Sequence, residues 1–547
     1  MTWRLRIVQG LFSLMALLIA LRLGYWQVIK AGDLSEQATY QRQTTLEIPS
    51  PRGEIKSSDG FPLATNQQAF LMYVNPRQFS FSSKLAELLP ASDSARLRQS
   101  SSYSNLYWFL VSRRLTASLK DKITSLSLPG VGFEPDTVRF YPESSTSAQL
   151  IGFVGQNTAG QPTGYFGLEG YYDRQLTGKP GRLIHEQDAL NRPILISDQS
   201  IIPPQPGSVL TTSINRVLQF IAYRKLSQGI TRYGAISGTV TIMEPATGRI
   251  LAMASLPSYN PHNYQSTDPA LFKNPIVSDS FEPGSTFKIF AMAAALDSKA
   301  VKPDTKCPIC SGPVTVSNYT IETWNEKYYP DSTMTEVIQH SDNVGMTWVS
   351  QRLGKAKYLD YLSKFGFGKE TGIDLQEESS PQLRPASAWV DIDLATAAFG
   401  QGIAVTPLQI VRAAAAIANH GLLPKPQIVD KINDKVISPS SPTQVISAAT
   451  AAQITQMMVN AVDLGEAKWA KPAGLSIAGK TGTAQIPVAG HYDDKKTIAS
   501  FVGFAPPDNP KFVMLVTLRE PKTSPWGSET AAPLWFDIAR DALRLLK

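Results

Sequence analysis

A serine and a lysine lie three residues apart, at Ser285 and Lys288, in the segment FEPGSTFKIFAMAAALD. Pro283 and Gly284 precede the pair and apolar residues follow it at helical spacing, so the pattern predicts that Ser285 opens a helix. Residues three apart share a helix face, which brings the amine to the hydroxyl. A serine hydroxyl becomes a good nucleophile beside a base or a lysine of lowered pKa. Taken alone, the pair also fits a helix-capping serine and a surface lysine.

Ser341, Asp342 and Asn343 form a second candidate motif, in the segment HSDNVGM. A second hydroxyl near a serine–lysine pair would pass a proton to a leaving group. The Asn343 amide has both donors and an acceptor, so it would orient the lysine and bind a substrate carbonyl. Taken alone, the motif also fits an ordinary Asx turn or a helix cap.

A third motif lies in the segment IAGKTGTAQ, which contains Lys480, Thr481, Gly482 and Thr483 on a predicted strand. Small residues leave room for a substrate to lie along the strand edge as an additional strand. Lys480 would supply positive charge, Thr481 and Thr483 hydroxyls for a carboxylate, and the Thr483 N–H an oxyanion donor. Taken alone, this motif also fits a simple β-turn.

The three motifs occur in the order S-x-x-K, S-D-N, K-T-G, which is the signature of penicillin-binding proteins and class A β-lactamases. Over nearly its whole length the chain resembles class B penicillin-binding proteins. The segments that carry this resemblance are PRGEIKSSDGFPLA, RFYPE, GLEGYYDRQLTGKPG, FEPGSTFK, FGFGKETGIDL, AAFGQGIAVTPLQIVRAAAAIANHG, GKTGTAQ and SFVGFAPPDNPKFVM. Glu169 stands at the family's glutamate position. The RFYPE and GLEG contexts favour the septal cell-division branch, and class A is disfavoured because no glycosyltransferase segment precedes them.

The resemblance implies an α+β fold with three parts. A penicillin-binding transpeptidase domain, built as an antiparallel sheet with helices on both sides, would follow an elongated mixed α/β pedestal and a single N-terminal transmembrane helix. We expect residues 1–30 to be a cytoplasmic stub and membrane anchor. Residues 31–210 would be a dimerisation-type pedestal and residues 211–547 the transpeptidase domain. The Pro/Gly-rich stretch IIPPQPGSVL marks the boundary between these last two parts.

The resemblance also implies an activity, that of a peptidoglycan D,D-transpeptidase. Ser285 would attack the D-Ala–D-Ala carbonyl of a stem peptide while Lys288 accepts its proton, and an amine from a neighbouring stem would resolve the acyl-enzyme. The expected catalytic residues are Ser285, Lys288, Ser341, Asn343 and Lys480, and the expected substrate-binding residues are Thr481, Gly482 and Thr483. No metal or organic cofactor is expected. β-Lactams would trap Ser285.

The expected partners are stem peptides, β-lactams, the membrane, a membrane glycosyltransferase and other division or elongation proteins. The apolar run from Ile7 to Ile29 is long enough to cross a bilayer, which takes about 20 residues. Arg4 and Arg6 precede this run, so the positive-inside rule predicts a cytoplasmic N-terminus and an extracytoplasmic catalytic domain. The resemblance implies that the membrane is a bacterial inner membrane. A cleaved signal peptide is the alternative, but no A-x-A cleavage site follows the run.

The net charge and the cysteines argue against nucleic-acid binding and against a metal site. The formal net charge of +7 comes without a Lys/Arg run or a nucleic-acid motif, so no nucleic acid is expected as a partner. The two cysteines, Cys307 and Cys310, form a single CxxC. A zinc site needs a second pair of ligands, so a local disulfide or two free thiols is favoured over a metal site.

Several local elements are predicted along the chain. We expect a hairpin at Pro51 to Asn66, a surface insertion with helical periodicity at Phe79 to Ser127, and a helix in SINRVLQFIAYRKLSQGI. Two strands joined by a turn are expected at Ser237 to Ser255. Late strands are expected in TIASFVGFA and FVMLVTLRE, and a final helix at Leu534 to Leu546.

Two other functions stay open at this point. A D,D-carboxypeptidase or β-lactamase would use the same machinery with water as the acceptor, although no glutamate motif for deacylation is recognisable. A sensor or scaffold would be acylated without turnover and would usually carry a cytoplasmic signalling domain, for which about six residues before the apolar run leave no room.

Overall fold

The computed structural model describes residues 2–186, 200–488 and 491–546. It divides into two compact units, one formed by Met1–Arg52 with Thr177–Gly207 and the other by Gly53–Leu176 with Ser208–Lys547. The domain boundaries expected at residues 30 and 210 stay predictions.

The first part of the chain, up to residue 212, mixes short helices and strands. In chain order they are α1 Thr2–Gly24, α2 Ala31–Arg42, β1 Gln43–Ile48, β2 Ile55–Lys56, β3 Pro62–Val74, α3 Ser83–Leu88, α4 Ala91–Gln99, β4 Phe109–Leu115, α5 Ala117–Thr124, β5 Val131–Phe140, α6 Ala148–Ile151, β6 Phe153–Gln156, β7 Pro162–Tyr165, α7 Gly167–Tyr171, α8 Asp173–Thr177, β8 Gly181–Glu186, β9 Ser200–Ile202 and β10 Leu210–Thr212.

The rest of the chain has longer helices and its long strands at the end. In chain order they are α9 Arg216–Tyr233, β11 Ser237–Met243, β12 Ile250–Leu256, α10 Pro275–Ser278, α11 Lys288–Asp297, β13 Val314–Val316, β14 Tyr319–Ile321, α12 Met334–Gln339, α13 Asn343–Leu353, α14 Lys355–Lys364, α15 Asp391–Ala397, α16 Pro407–Ala418, β15 Leu422–Leu423, β16 Val429–Ile432, β17 Lys435–Val436, β18 Thr443–Gln444, α17 Ala448–Asp463, β19 Ala478–Val488, β20 His491–Ala505, β21 Phe512–Arg519 and α18 Ala531–Leu545.

The apolar N-terminal run forms α1, which a π-helical turn at Tyr25–Ile29 extends. Its apolar side chains are exposed rather than packed in a core. The helical stretch from Thr2 to Ile29 is long and apolar enough to cross a membrane, as the sequence predicts. In the same unit, β1, β8 and β9 form an antiparallel sheet in the order β1-β8-β9.

The central sheet of the larger unit has the strand order β12-β11-β21-β20-β19, and all its neighbouring strands are antiparallel. The side chains of β21 show what covers each face of the sheet, because successive side chains of a strand point to opposite faces. Val513 and Leu515 join one hydrophobic core, while Met514 and Val516 join another. The sheet is therefore buried on both faces.

Helices cover each face of this sheet. α9 and α18 pack on one face, where the side chains Leu218, Leu226 and Trp535 are fully buried. The hydrophobic core on the other face contains residues of α11, α13, α16 and α17. The expected antiparallel sheet with helices on both sides is confirmed. The predicted helix in SINRVLQFIAYRKLSQGI, the late strands and the final helix are confirmed as well.

In the segment from residue 53 to 176, the predicted hairpin is present and one strand was not predicted. β2 and β3 pair as the predicted hairpin, around a turn where Gly60 has φ +84°. The surface insertion forms helices α3, α4 and α5, but it also contains β4, which the sequence did not predict. β4 pairs with one edge of β3, and β5 pairs with the other edge. Its partner is distant along the chain, so no local periodicity signals this pairing.

A buried ion pair joins two of the segments that resemble the family. Arg139 on β5 donates through Nε to Glu169 Oε1 of α7 at 2.6 Å, and the two side chains are 5% and 0% exposed. Arg139 also donates through Nη1 to Asn66 Oδ1 at 3.1 Å. A buried charge of this kind is tolerated only while its partner is present.

Replacing Glu169→Ala should therefore lower the free energy of unfolding by about 3–5 kcal/mol, because Arg139 keeps its buried charge without a carboxylate. Denaturant titration of the purified protein measures this loss. The control is Asp360→Ala, which breaks the exposed pair between Lys364 and Asp360 on α14. It should cost less than about 1 kcal/mol. Equal losses in the two variants would contradict the structural role of the buried pair.

Candidate active site

Ser285 lies in a 3-10 turn, Gly284–Phe287, which runs directly into α11 at Lys288. Side chains at i and i+3 of a 3-10 turn project in the same direction, so Ser285 and Lys288 share one side as predicted. Gly284 has φ +57°, and a Cβ there would come within 2.6 Å of the Thr483 carbonyl oxygen. This glycine therefore allows the turn that carries Ser285 to approach β19 closely.

The Lys288 amine is fully buried and joins the first motif to the second. It donates to Asn343 Oδ1 at 2.7 Å and to Ser341 through both the backbone carbonyl and the hydroxyl, the latter at 3.2 Å. A charged amine uses all three of its N–H groups on these acceptors. A neutral amine keeps two N–H groups for these acceptors and has a lone pair that can accept a proton.

Burial lowers the pKa of Lys288 to about 7, and the positive charge of Lys480 acts in the same direction. The carboxylates of Asp342 and Glu466 oppose this shift. Burial also lowers the pKa of Lys480, again against the influence of Glu466. A substantial fraction of Lys288 is therefore neutral near pH 7, which is the form that accepts a proton.

The second motif owes its geometry to a tight connection between α12 and α13. Ser341 occupies the left-handed region with φ +58°, an uncommon conformation for a residue with a side chain. Asp342 follows as the N-cap of α13 and accepts from the Gly345 N–H at 3.1 Å. Asn343 donates from Nδ2 to the Glu322 carbonyl at 2.9 Å, which fixes the amide so that its oxygen faces Lys288.

The third motif lies on β19, the outermost strand of the central sheet within the described residues. Lys480 is 3% exposed and donates to Thr481 Oγ1 at 3.0 Å. A Cβ on Gly482 would lie 2.7 Å from Thr286 Cγ2, so only glycine lets the Ser285 turn pack here. Thr483 accepts through Oγ1 from the Gly527 N–H at 3.0 Å.

Residues of all three motifs line one cavity of about 260 Å³. Of the predicted site residues, its walls include Ser285, Ser341, Asn343, Thr481, Gly482 and Thr483. The two remaining predicted residues, Lys288 and Lys480, reach the wall through their hydrogen bonds to the second and third motifs. The structure thus brings all the predicted site residues together, and their chemical roles stay predictions.

The cavity also contains residues that the sequence did not indicate. Trp324 and Trp526 line it from two separate loops, and their rings lie 5.0 Å apart. Glu466, which follows α17, accepts from the Thr481 hydroxyl at 3.0 Å. None of the three belongs to a motif. Each reaches the cavity through tertiary contacts between distant segments, for which the sequence carries no local signal.

The two cysteines are joined as a disulfide, Cys307–Cys310, so they do not act as thiol ligands here. Both are buried, and Cys310 Sγ would lie 3.2 Å from a Cβ on Gly345 of α13. The sequence left a disulfide and free thiols open, and the structure selects the disulfide. It packs beside the helix that begins with Asn343.

Two family models match the chain. The penicillin binding protein transpeptidase domain matches residues 238–543, and the penicillin-binding protein dimerisation domain matches residues 47–212. The first match contains all three motifs and the whole cavity. The second contains the hairpin and the Arg139–Glu169 pair.

Individual relatives extend over nearly the whole chain. Stage V sporulation protein D of Bacillus subtilis is 35% identical over 541 residues, covering 96% of this chain and 83% of the relative. The peptidoglycan D,D-transpeptidase FtsI of Escherichia coli is 29% identical over 561 residues, covering 100% of this chain and 92% of the relative.

A solved structure agrees with the fold. Penicillin binding protein 2X from Streptococcus thermophilus superimposes with a TM-score of 0.76 at 24% identity, covering 92% of this chain and 80% of that one. With two family models, a relative above 30% identity and the assembled motifs in agreement, the chain belongs to the class B penicillin-binding proteins, the transpeptidases with a dimerisation domain.

Proposed function

We propose that this chain is a serine-type peptidoglycan D,D-transpeptidase that cross-links stem peptides through an acyl-enzyme at Ser285. One observation carries the proposal. A fully buried lysine amine, Lys288, is hydrogen bonded to Ser341 and Asn343 behind a cavity whose wall contains Ser285 and the edge of β19. This arrangement supplies a nucleophile, a base and a strand edge for a peptide.

Acylation begins with neutral Lys288, which takes the proton of the Ser285 hydroxyl as the oxygen attacks the carbonyl carbon of the penultimate D-alanine. The Ser285 and Thr483 N–H groups receive the developing oxyanion. One such donor in a studied protease contributes about 3 kcal/mol. Ser341, within 3.2 Å of the lysine, passes the proton to the departing D-alanine nitrogen.

The substrate peptide lies along the outer edge of β19 as an added strand. Lys480, Thr481 and Thr483 bind the carboxylate of the departing D-alanine, and Asn343 orients the peptide. An amine from a neighbouring stem then attacks the ester, forms the cross-link and releases Ser285. A β-lactam enters the same sequence, and its ring-opened product stays on Ser285.

The proposed setting is the bacterial inner membrane, crossed once by the helical stretch from Thr2 to Ile29. Arg4 and Arg6 favour a cytoplasmic N-terminus, which places the cavity outside the cell. The Cys307–Cys310 disulfide is consistent with that oxidising side. The similarity to FtsI and the RFYPE and GLEG segments favour septal wall synthesis, with a membrane glycosyltransferase as partner.

Replacing Ser285→Ala should abolish covalent labelling by a fluorescent penicillin, because the variant lacks the oxygen that forms the ester. Labelling of purified protein, followed by gel fluorescence, measures this. The control is Ser280→Ala, which removes an exposed serine five residues earlier and should keep full labelling.

The reaction product separates transfer from hydrolysis. With a lipid-linked glycan carrying stem peptides, the unmodified protein should yield cross-linked dimer, and Ser285→Ala should yield none. Continued labelling of Ser285→Ala at the active-site peptide would contradict the assigned nucleophile. Free D-alanine with no dimer, in the presence of acceptor stems, would identify a carboxypeptidase instead.

The acylation rate should rise with pH through about 7, because only the neutral amine of Lys288 accepts the Ser285 proton. Below that midpoint the rate should fall about tenfold per pH unit. Second-order rate constants for the fluorescent penicillin between pH 5 and 9 measure the profile.

The matched variants are Lys288→Met and Lys299→Met, the latter at an exposed position just after α11. Lys288→Met should lose acylation at every pH, and Lys299→Met should keep both the rate and the midpoint. A flat profile in the unmodified protein, or acylation that survives Lys288→Met, would exclude Lys288 as the base.

A further inference from the structure

Glu466 places a carboxylate in the wall of the active-site cavity, next to the residues proposed to bind the substrate carboxylate. It lies between the end of α17 and the start of β19. Its Oε2 accepts from the Thr481 hydroxyl at 3.0 Å. Its other oxygen, Oε1, is buried and has no hydrogen-bond partner within the part of the chain that the structure describes.

The hydrogen-bond capacity of Thr481 is limited, because a hydroxyl has a single proton to donate. Lys480 donates to Thr481 Oγ1 at 3.0 Å, so that oxygen acts as an acceptor toward the lysine. The single proton of Thr481 then goes to Glu466. A ligand carboxylate that needs the Thr481 hydroxyl must take this proton away from a carboxylate that already holds it.

Thr483, two residues along the same strand, shows the opposite arrangement. Its Oγ1 accepts from the Gly527 N–H at 3.0 Å. Among the described residues no acceptor is recorded for its own proton, which leaves it for a ligand. The two threonines of the motif therefore differ, since one proton is free and the other is held by Glu466.

The negative charge of Glu466, like its hydrogen bond to Thr481, opposes the binding of a ligand carboxylate. Lys480 and Lys288 are both buried, and Glu466 lies close enough to favour the charged form of each. A carboxylate beside Lys480 reduces the positive field that would attract an anionic ligand. It also repels a second carboxylate at the Thr481 position.

We propose that Glu466 is a positioning residue that competes with the substrate carboxylate for the Thr481 hydroxyl and so weakens selection for donors with a free carboxylate. This inference rests on the proposed transpeptidase function. Binding of a D-alanyl donor then requires the Thr481 hydroxyl to turn from Glu466 to the ligand. Lys480 and the Thr483 hydroxyl supply the remaining contacts.

The test compares two acyl donors that differ in charge and by one methyl group, an N-acyl-D-alanyl thioglycolate and its methyl ester. In the unmodified protein the carboxylate form should be preferred only modestly. In Glu466→Gln the ratio of the kcat/KM values, carboxylate over ester, should rise about tenfold, the size expected when one charge-assisted hydrogen bond is redirected. The gain should fall mainly in KM, and the ester should change less than about threefold.

The matched control is Asp463→Asn, which removes a carboxylate paired with Lys471 at the end of the same helix. It should leave the ratio unchanged. Glu466→Ala should raise the ratio as Glu466→Gln does. Agreement between the two variants attributes the effect to loss of the carboxylate and not to the new side chain. Thermal melting of each variant identifies any general loss of folding.

The outcomes separate the two proposals. If neither donor acylates Ser285 in the unmodified protein, the transpeptidase proposal fails. If both donors react but Glu466→Gln and Glu466→Ala leave their ratio unchanged, or alter both donors equally, the proposed competition at Thr481 is wrong while the transpeptidase proposal stands.

Discussion

The buried amine of Lys288 is the interaction on which the site depends. Its hydrogen bonds to Ser341 and Asn343 join the segment that carries Ser285 to the second motif, which is distant in sequence. Removing an amine from water disfavours its charged form. The burial that comes with assembling the site therefore lowers the pKa of Lys288 toward the neutral form that activating a serine requires.

The helices packed around α11 make this burial possible. α11 is enclosed by α13, α14 and α17, and Lys288 lies at the start of a helix whose next eight residues are all buried. Among the described strands β19 lies at the edge of the sheet. One side of the site is therefore a buried helical core, and the other side is an unpaired strand edge. Gly284 and Gly482 bring these two sides close enough to share one cavity.

Much of this arrangement could be predicted because its signals are local. The three motifs, the apolar N-terminal run and the continuous apolar run of β21 each depend on neighbouring residues. The sequence did not reveal β4, whose pairing with β3 is a long-range contact. Glu466 was missed for the same reason, since only folding brings the end of α17 beside Thr481. For the cysteine pair the sequence favoured a disulfide or free thiols over a metal site, and the structure has the disulfide.

To accept the serine proton, the buried Lys288 amine must be largely neutral near physiological pH. NMR titration of protein labelled with ¹³C at the lysine ε-carbons measures its pKa, with the Lys288 signal assigned by its loss in Lys288→Met. We expect a midpoint near pH 7. A midpoint near the ordinary lysine value of about 10.4 would exclude Lys288 as the base, because the amine would then be charged at neutral pH and unable to accept the serine proton.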